Sequence, residues 1–364
     1  MGLACGIVGL PNVGKSTIFN AITAAGAESA NYPFCTIEPN IGVVDVPDDR
    51  LARIERHIKT NRLVPATLKV VDIAGLVKGA STGEGLGNKF LGNIKECDAI
   101  LHVVRCFAES DVIHVTGAVA PQSDIEVIDL ELALADLDTV KRAADRNGKK
   151  ARSGDKEAVF AQGVLERAEA LLAAGKALRL TPWTAEERTV LDPLFLITMK
   201  PVLFVANVSD QDLDGKSPLV EQVRRHAAAT GAQVVALSGR IEGEIMALDP
   251  ADRAAFLADM GLAEPGLHRL IRQAYSLLGL QTFFTAGEME IRAWTIHRGD
   301  TAPKAAGVIH TDFEKNFIRA EVYSVDDLER HGSETAIRAA GKLRSEGRDY
   351  VMRESDVCHF LIGK

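Results

Sequence analysis

The sequence predicts an α/β fold with a mainly parallel sheet, because three apolar, strand-like runs each end in residues suited to binding a ligand. The first run, residues 4–8, leads into a glycine-rich loop. The second, 68–71, ends at Asp72, and the third, 201–206, ends at Asn207. Ligand sites of open α/β sheets gather at the carboxyl ends of the strands. The three runs therefore predict one shared site at one edge of a sheet.

The first run is followed by a loop that matches the pattern G-x-x-x-x-G-K-[ST] from Gly9 to Ser16, and residues 17–22 predict a helix after it. In this order of strand, loop and helix, the loop N–H groups and the helix N-terminus attract the phosphates of a nucleotide. Lys15 is expected to reach the β- and γ-phosphates and to act in catalysis, and the Ser16 hydroxyl is expected to bind Mg²⁺. The predicted nucleotide contacts of this loop are Asn12, Val13, Gly14, Lys15, Ser16 and Thr17.

The second run continues into Asp72-Ile73-Ala74-Gly75, a D-x-x-G pattern. In switch-type P-loop NTPases the aspartate holds Mg²⁺ and the glycine N–H senses the γ-phosphate. We therefore predict Asp72 as a metal ligand and Gly75 as a phosphate contact. Thr36 lies in a proline-containing segment between the two motifs and is predicted to supply a second hydroxyl to Mg²⁺. The alternative is that Thr36 is an ordinary surface residue.

The third run predicts the side of the site that binds the base. GTPases usually carry N-K-x-D here, and their aspartate accepts hydrogen bonds from guanine, but this chain reads Asn207-Val208-Ser209-Asp210. A later apolar run, 233–237, ends at Ser238, where a loop over the base would begin. Asn207, Val208, Asp210 and Ser238 are therefore predicted to line the base site.

Together these motifs resemble the Obg-like ATPase (YchF) family. The resemblance extends over nearly the whole chain and includes GLPNVGKST, NYPFCTIEPN, DIAGLVKGAS, ELALADLDTV and AAGVIHTDFEKNFIRAEV. It implies a P-loop NTPase that prefers ATP to GTP, with Asn207 and Val208 contacting adenine. The family usually has a glutamate at the position of Asp210. Because an aspartate suits guanine, a GTPase remains an alternative.

Catalysis is less clearly marked in the sequence. Leu76 stands where Ras-like enzymes place the glutamine that orients the attacking water, and a leucine side chain cannot form hydrogen bonds. The family resemblance implies that His114 acts instead, whereas the ordinary alternative is a surface or capping histidine. In relatives of this kind an asparagine at the position of Asn12 can help to hold K⁺ near the phosphates. A nucleotide-gated regulatory protein with negligible hydrolysis is the second alternative function.

An inserted helical arm is predicted at 129–196. Apolar residues recur at helical spacing on two stretches, and we expect them to form the seam of an antiparallel, coiled-coil hairpin. These residues are Leu130, Leu134, Leu137 and Val140, then Val164, Ala168, Leu171 and Leu172. The connection, 141–156, is rich in basic residues, so contact with RNA phosphates and an ordinary solvated surface are both open.

The C-terminal part, 280–364, predicts short strands and one helix near Ser333–Leu343, a small α+β domain. The resemblance identifies it as a β-grasp-like TGS domain, a module that tends to contact RNA or ribosomal surfaces. The predicted nucleotide-binding domain is then discontinuous and comprises 1–128 and 197–279.

Composition, net charge and cysteine pattern indicate the class of protein and its location in the cell. The chain is 46% hydrophobic and 25% charged, as in globular proteins, and its net charge of −8 argues against a nucleic-acid-binding surface over the whole protein. It shows no secretion signal and no apolar run of membrane-spanning length. Its five scattered cysteines include no C-x-x-C pair. We expect a cytoplasmic monomer that binds Mg²⁺ and ATP, contacts ribosomes or RNA through the arm and the C-terminal domain, and does not bind membranes.

Overall fold

The computed structural model describes residues 3–27, 40–73, 86–108 and 119–363. The helices are α1 Lys15–Ala27, α2 Arg50–Glu55, α3 Leu86–Lys95, α4 Pro121–Arg152, α5 Lys156–Ala173, α6 Ala185–Leu191, α7 Pro218–Thr230, α8 Gly239–Ala247, α9 Pro250–Asp259, α10 Gly266–Leu277, α11 Ala302–Ile309, α12 Thr311–Lys315, α13 Val325–His331 and α14 Glu334–Ala339. The strands are β1 Ala4–Val8, β2 Ile41–Asp45, β3 Leu63–Val64, β4 Thr67–Asp72, β5 Ala99–Cys106, β6 Val202–Val208, β7 Gln233–Leu237, β8 Leu280–Ala286, β9 Ile291–His297, β10 Phe317–Ser324, β11 Arg344–Glu346 and β12 Asp356–Ile362.

The first sheet carries the predicted site. Its strand order is β2-β4-β1-β5-β6-β7, and neighbouring strands from β4 to β7 run parallel. Every residue of β1, β5 and β6 is buried, as expected for central strands that are covered on both faces. The predicted α/β fold with a mainly parallel sheet is confirmed, and the carboxyl ends of β1, β4 and β6 lie at the same edge.

The helical insertion is a hairpin of α4 and α5, which are joined by residues 153–155. Asp155 begins α5 by accepting a hydrogen bond from the Ala158 N–H at 2.9 Å. Near the tip, the Asn147 side-chain amide on α4 donates to the Ala158 carbonyl at 2.8 Å and to Gln162 Oε1 at 3.1 Å. The buried residues of the two helices at the seam are Ala133, Val140, Ala143, Ala144, Val164, Leu165, Ala168 and Leu172.

The prediction of the seam residues is wrong for part of α4. Leu130 and Leu134 are 52% and 38% exposed and lie outside the buried cluster, whereas Leu137 packs against the cluster and Val140 is buried within it. The physical reason is that α4 meets α5 along a neighbouring stripe that begins at Ala133 and is rich in alanine. Small side chains allow a close approach of the two helices, so the larger Leu130 and Leu134 do not mark the seam on α4.

Asp136 fastens α4 to the chain that leads into β6. Its carboxylate accepts hydrogen bonds from Ile197 N at 2.9 Å, Thr198 N at 2.7 Å and Thr198 Oγ at 2.7 Å. Burial raises the pKa of Asp136, while these donors oppose the rise. Because α4 begins at Pro121, the helix starts before the predicted arm boundary at 129.

The second sheet is mixed, with the order β11-β10-β12-β8-β9-β3. The segment 280–364 predicted one helix near Ser333–Leu343, where α14 lies, but the structure also has α11, α12 and α13 there. The added helices have five to eight residues each, too few for a clear hydrophobic period. Local capping marks one of them, because the Ser324 side chain and Asp327 form a capping box at the start of α13.

Contacts divide the chain into two compact units, 1–43 with 69–270 and 44–68 with 271–364. The sequence-based domain boundaries stay a prediction. They place 44–68 in the nucleotide-binding domain, whereas this segment lies in the second unit. There β3 pairs with β9, and Arg50 forms ion pairs with Asp48 at 2.6 Å and Glu354 at 2.5 Å.

Within the described ranges, no helix is long and apolar enough to cross a membrane. The cysteines described there, Cys5, Cys97, Cys106 and Cys358, are free and buried. Burial raises the pKa of all four thiols, which disfavours the reactive thiolate.

Candidate nucleotide-binding site

The glycine loop lies between the end of β1 and the start of α1. Gly14 has φ +91°, and a Cβ atom there would lie 2.2 Å from Asn207 Nδ2. Gly9 would likewise place a Cβ atom 2.5 Å from the Val103 carbonyl oxygen of the neighbouring strand β5. Both positions therefore require glycine because the loop is pressed against its surroundings. The loop directs the N-terminus of α1 towards the cavity, where an anion is favoured.

Lys15 is buried, and its ammonium group donates a hydrogen bond to the Leu10 carbonyl at 2.7 Å. Burial lowers the pKa of Lys15 to about 8, while the nearby Asp72 acts in the opposite direction. An anion beside Nζ would favour the charged form further. The geometry therefore suits a lysine that binds phosphate oxygens.

Ser16 and Asp72 form the part of the predicted metal site that the structure describes. Ser16 Oγ donates to Asp72 Oδ2 at 3.5 Å. Burial raises the pKa of Asp72, and Lys15 and Ser16 oppose this rise. The other carboxylate oxygen, Oδ1, is buried and finds no hydrogen-bond partner among the residues placed by the structure. A hydroxyl beside a carboxylate with a spare buried oxygen fits a hard, oxygen-seeking cation such as Mg²⁺.

A cavity of about 460 Å³ joins the phosphate loop to the end of β6. It brings together nine of the predicted contacts: Asn12, Gly14, Lys15, Ser16, Thr17, Asn207, Val208, Asp210 and Ser238. Val13, whose side chain is buried, is not among the residues that line the cavity. The cavity therefore places the phosphate side and the base side of the predicted site in one space.

Asn207 connects these two sides. Its side-chain Nδ2 donates to the Val13 carbonyl at 2.9 Å, and its Oδ1 accepts from the Gly239 N–H at 2.9 Å. The residue is only 5% exposed. Asn207 thus holds the phosphate loop against the start of α8, in addition to its predicted contact with the base.

Asp210 is also held by residues at the start of α8. Its Oδ1 accepts a hydrogen bond from Ser238 Oγ at 2.9 Å, and its Oδ2 is paired with the guanidinium of Arg240. Ser238 in turn caps α8, since its Oγ accepts from the Ile241 N–H at 3.4 Å. Both carboxylate oxygens of Asp210 are therefore engaged within the protein.

The predicted contacts omitted three residues of the cavity wall, which are Phe107, Ser209 and Arg240. Phe107 directly follows β5, so the rule that identified Asp72 and Asn207 at strand ends would also have found it. The Phe107 carbonyl accepts a hydrogen bond from Arg105 Nε at 3.1 Å, and the Arg105 guanidinium lies 4.5 Å from its ring centre. Arg240 stands next to the predicted Ser238 loop, but nothing in the sequence indicated that it would pair with Asp210.

The comparisons with known proteins agree with this geometry. A family model described as a 50S ribosome-binding GTPase matches 4–139, and a YchF GTPase C-terminal model, described as a protein of unknown function, matches 280–363. The chain is 53% identical to the ribosome-binding ATPase YchF of Haemophilus influenzae over 360 residues, which cover 99% of both chains. The chain belongs to the YchF family. Membership of the YchF family also supports the interpretation of the glycine loop as a phosphate-binding P-loop.

More distant YchF relatives also match over more than nine tenths of both chains. Obg-like ATPase 1 of Gallus gallus is 43% identical over 98% of this chain and 92% of its own length. The structure of the Schizosaccharomyces pombe YchF GTPase matches with a TM-score of 0.89 and 37% identity over 99% of this chain and 98% of that one. These relatives are named both ATPase and GTPase, so their names alone do not identify the base.

Several predicted functional residues of this YchF-family chain lie outside the described residues. They are the metal ligand Thr36, the phosphate contact Gly75, and the two residues discussed for catalysis, Leu76 and His114. Their roles stay predictions.

Proposed function

We propose that this protein is a molecular switch that binds ATP with Mg²⁺ and hydrolyses it to ADP and phosphate. The observation that carries the proposal is the cavity that joins the glycine loop to the turn after β6. The similarity to proteins named ribosome-binding ATPase supports ATP as the substrate.

In the proposed complex, the phosphates lie against the loop N–H groups and the N-terminus of α1. Lys15 replaces its hydrogen bond to the Leu10 carbonyl with one to a phosphate oxygen, so its buried ammonium group keeps a hydrogen-bond partner. Ser16 and Asp72, together with Thr36, hold Mg²⁺. When bound, this ion neutralises charge on the β- and γ-phosphate oxygens.

For the attacking water, we propose that His114 replaces the glutamine whose position Leu76 occupies. Asn12 lines the cavity in a left-handed backbone conformation with φ 61°, and we propose that it helps to hold K⁺ beside the phosphates. Hydrolysis that runs at the same rate in K⁺ and Na⁺ buffers would contradict the K⁺ proposal.

We further propose that the partner is the ribosome and that the protein acts in the cytoplasm. The name of the H. influenzae relative supports this partner. So does the hairpin tip, where seven basic residues are all exposed: Lys141, Arg142, Arg146, Lys149, Lys150, Arg152 and Lys156. Phosphate contacts from such a surface would weaken as salt rises.

Two specific residues favour other functions. Asp210 provides the carboxylate that a GTPase uses, so GTP is the alternative substrate. Leu76 favours a nucleotide-gated regulatory protein with negligible hydrolysis.

The test uses the purified full chain and measures ATP and GTP binding with Mg²⁺, followed by single-turnover hydrolysis with and without ribosomes. We expect tighter binding of ATP and faster hydrolysis with ribosomes. Tighter binding of GTP would favour the GTPase, and absence of hydrolysis in both conditions would favour the regulatory protein.

Lys15→Ala tests the site itself. Because it removes a charge-assisted contact, ATP affinity should fall about tenfold to a hundredfold. Lys176→Ala, the same change at an exposed lysine outside the cavity wall, is the matched control and should bind as the unchanged protein does. Equal affinities of the two variants would place nucleotide binding elsewhere.

A further inference from the structure

Asp210 occupies the position of the guanine-reading aspartate of GTPases, yet its carboxylate is already engaged on both oxygens. Ser238 Oγ donates to Oδ1 at 2.9 Å, and the Arg240 guanidinium pairs with Oδ2. Arg240 is the second residue of α8 and belongs to the cavity wall. The pair therefore lies where the base of a nucleotide would be recognised.

The chemistry of the two bases makes this pairing selective. The recognised edge of guanine presents N–H donors from its ring N1 and its 2-amino group, which a free carboxylate can accept together. Adenine lacks the 2-amino group and presents an unprotonated ring nitrogen, which is an acceptor. Arginine can only donate hydrogen bonds and an ionised aspartate can only accept them. Guanine must therefore displace Arg240 to reach Asp210, whereas adenine does not need this carboxylate.

We propose that Arg240 is a specificity-determining residue. It occupies the Asp210 carboxylate and thereby weakens the binding of guanine nucleotides relative to the binding of adenine nucleotides. This inference rests on the proposed nucleotide binding in the cavity. Selectivity then comes from a contact that excludes the wrong base, as well as from contacts with the right one.

The expected effect is moderate because the Arg240 side chain is 67% exposed. Its second acidic neighbour, Glu244, is 3.9 Å from the guanidinium Nε and also stabilises the side chain near α8. Exposed ion pairs change equilibria by factors of up to about five. Arg240→Ala should therefore raise the ratio of GDP affinity to ADP affinity by about threefold to fivefold.

The experiment is titration calorimetry of the full chain with ADP, GDP and IDP, which avoids turnover. The variants are Arg240→Ala, Arg240→Gln and the matched control Arg225→Ala, which removes an exposed arginine of α7 outside the cavity wall. Both Arg240 variants should gain GDP affinity while the control does not. IDP lacks the 2-amino group, so its gain should be smaller than that of GDP.

A double-mutant cycle separates the pair from other effects of Arg240. In an Asp210→Ala background, Arg240→Ala should leave the GDP to ADP ratio unchanged. An unchanged ratio in the single variants, or an equal gain in the Asp210→Ala background, would overturn the inference while leaving the proposed function intact. If the unchanged protein bound neither ADP nor GDP, the proposed function and this inference would both fail.

Discussion

Replacing Asn207 with alanine tests how the two sides of the site are held together. The change removes the donor to the Val13 carbonyl and the acceptor of the Gly239 N–H, both at 2.9 Å and both buried. A buried polar group left without its partner costs about 1–3 kcal/mol. Two such groups predict a loss of about 2–6 kcal/mol of unfolding free energy, a large part of a typical domain stability of about 5–15 kcal/mol.

The loss should be measured by urea unfolding of the full chain, with ADP affinity as the second readout. ADP affinity should also fall, because Gly14 is packed against the Asn207 side chain and the loop would lose this support. Asn93→Ala, an exposed asparagine of α3, serves as the control. A loss below about 1 kcal/mol with unchanged ADP affinity would refute the view that Asn207 bridges the loop and α8.

Two further predictions concern the core of the first unit. Asp136→Ala removes the acceptor of three buried hydrogen bonds from Ile197 and Thr198, so unfolding free energy should fall by at least about 2 kcal/mol, and a smaller change in urea unfolding would contradict the anchoring role. Burial lowers the pKa of His102 to about 3, whereas its pKa in the unfolded chain is about 6.5. Below about pH 6.5 the unfolded state therefore binds one more proton than the folded state, and the unfolding free energy falls as the pH decreases. The slope from this group is about 1.4 kcal/mol per pH unit, and His102→Gln should remove it from a series of unfolding curves between about pH 6 and 4.5; equal slopes in both proteins would contradict this assignment.

The sequence predicted the parts of the site that depend on contiguous patterns. The glycine loop, its helix and the strand before Asp72 follow from local spacing, and the structure places Lys15, Ser16 and Asp72 together. The bridge made by Asn207 was not predictable in this way. It joins residues 194 positions apart in the chain, and only the folded sheet shows that its amide faces the Val13 carbonyl.

The helical arm shows a different limit. Helical spacing correctly indicated two helices, but it could not indicate which stripe of α4 is buried. Ala133, Leu137, Val140 and Ala144 also recur every three or four residues, as the predicted residues do. Close packing of two helices depends on small side chains as much as on apolar area. The prediction that Leu130 lies in the seam was therefore wrong.

The segment 44–68 shows why the second unit could not be delimited from sequence. It lies in the chain between the predicted metal ligands Thr36 and Asp72, and its own elements are short: α2 has six residues and β3 has two. Yet Asn61 N donates to the Glu288 carbonyl at 3.0 Å, and Ile291 N donates to the Arg62 carbonyl at 2.9 Å.

These hydrogen bonds make β3 the edge strand of the second sheet, and the Arg50 guanidinium lies 5.0 Å from the Phe284 ring centre within the same unit. A chain cut at 280 would leave the β9 edge without its partner and would remove the cation from the Phe284 ring. Unpaired edges and lost packing both weaken small domains. The second unit is therefore complete only with residues that precede Asp72 in the chain, and a division based on a contiguous C-terminal segment would omit part of its sheet.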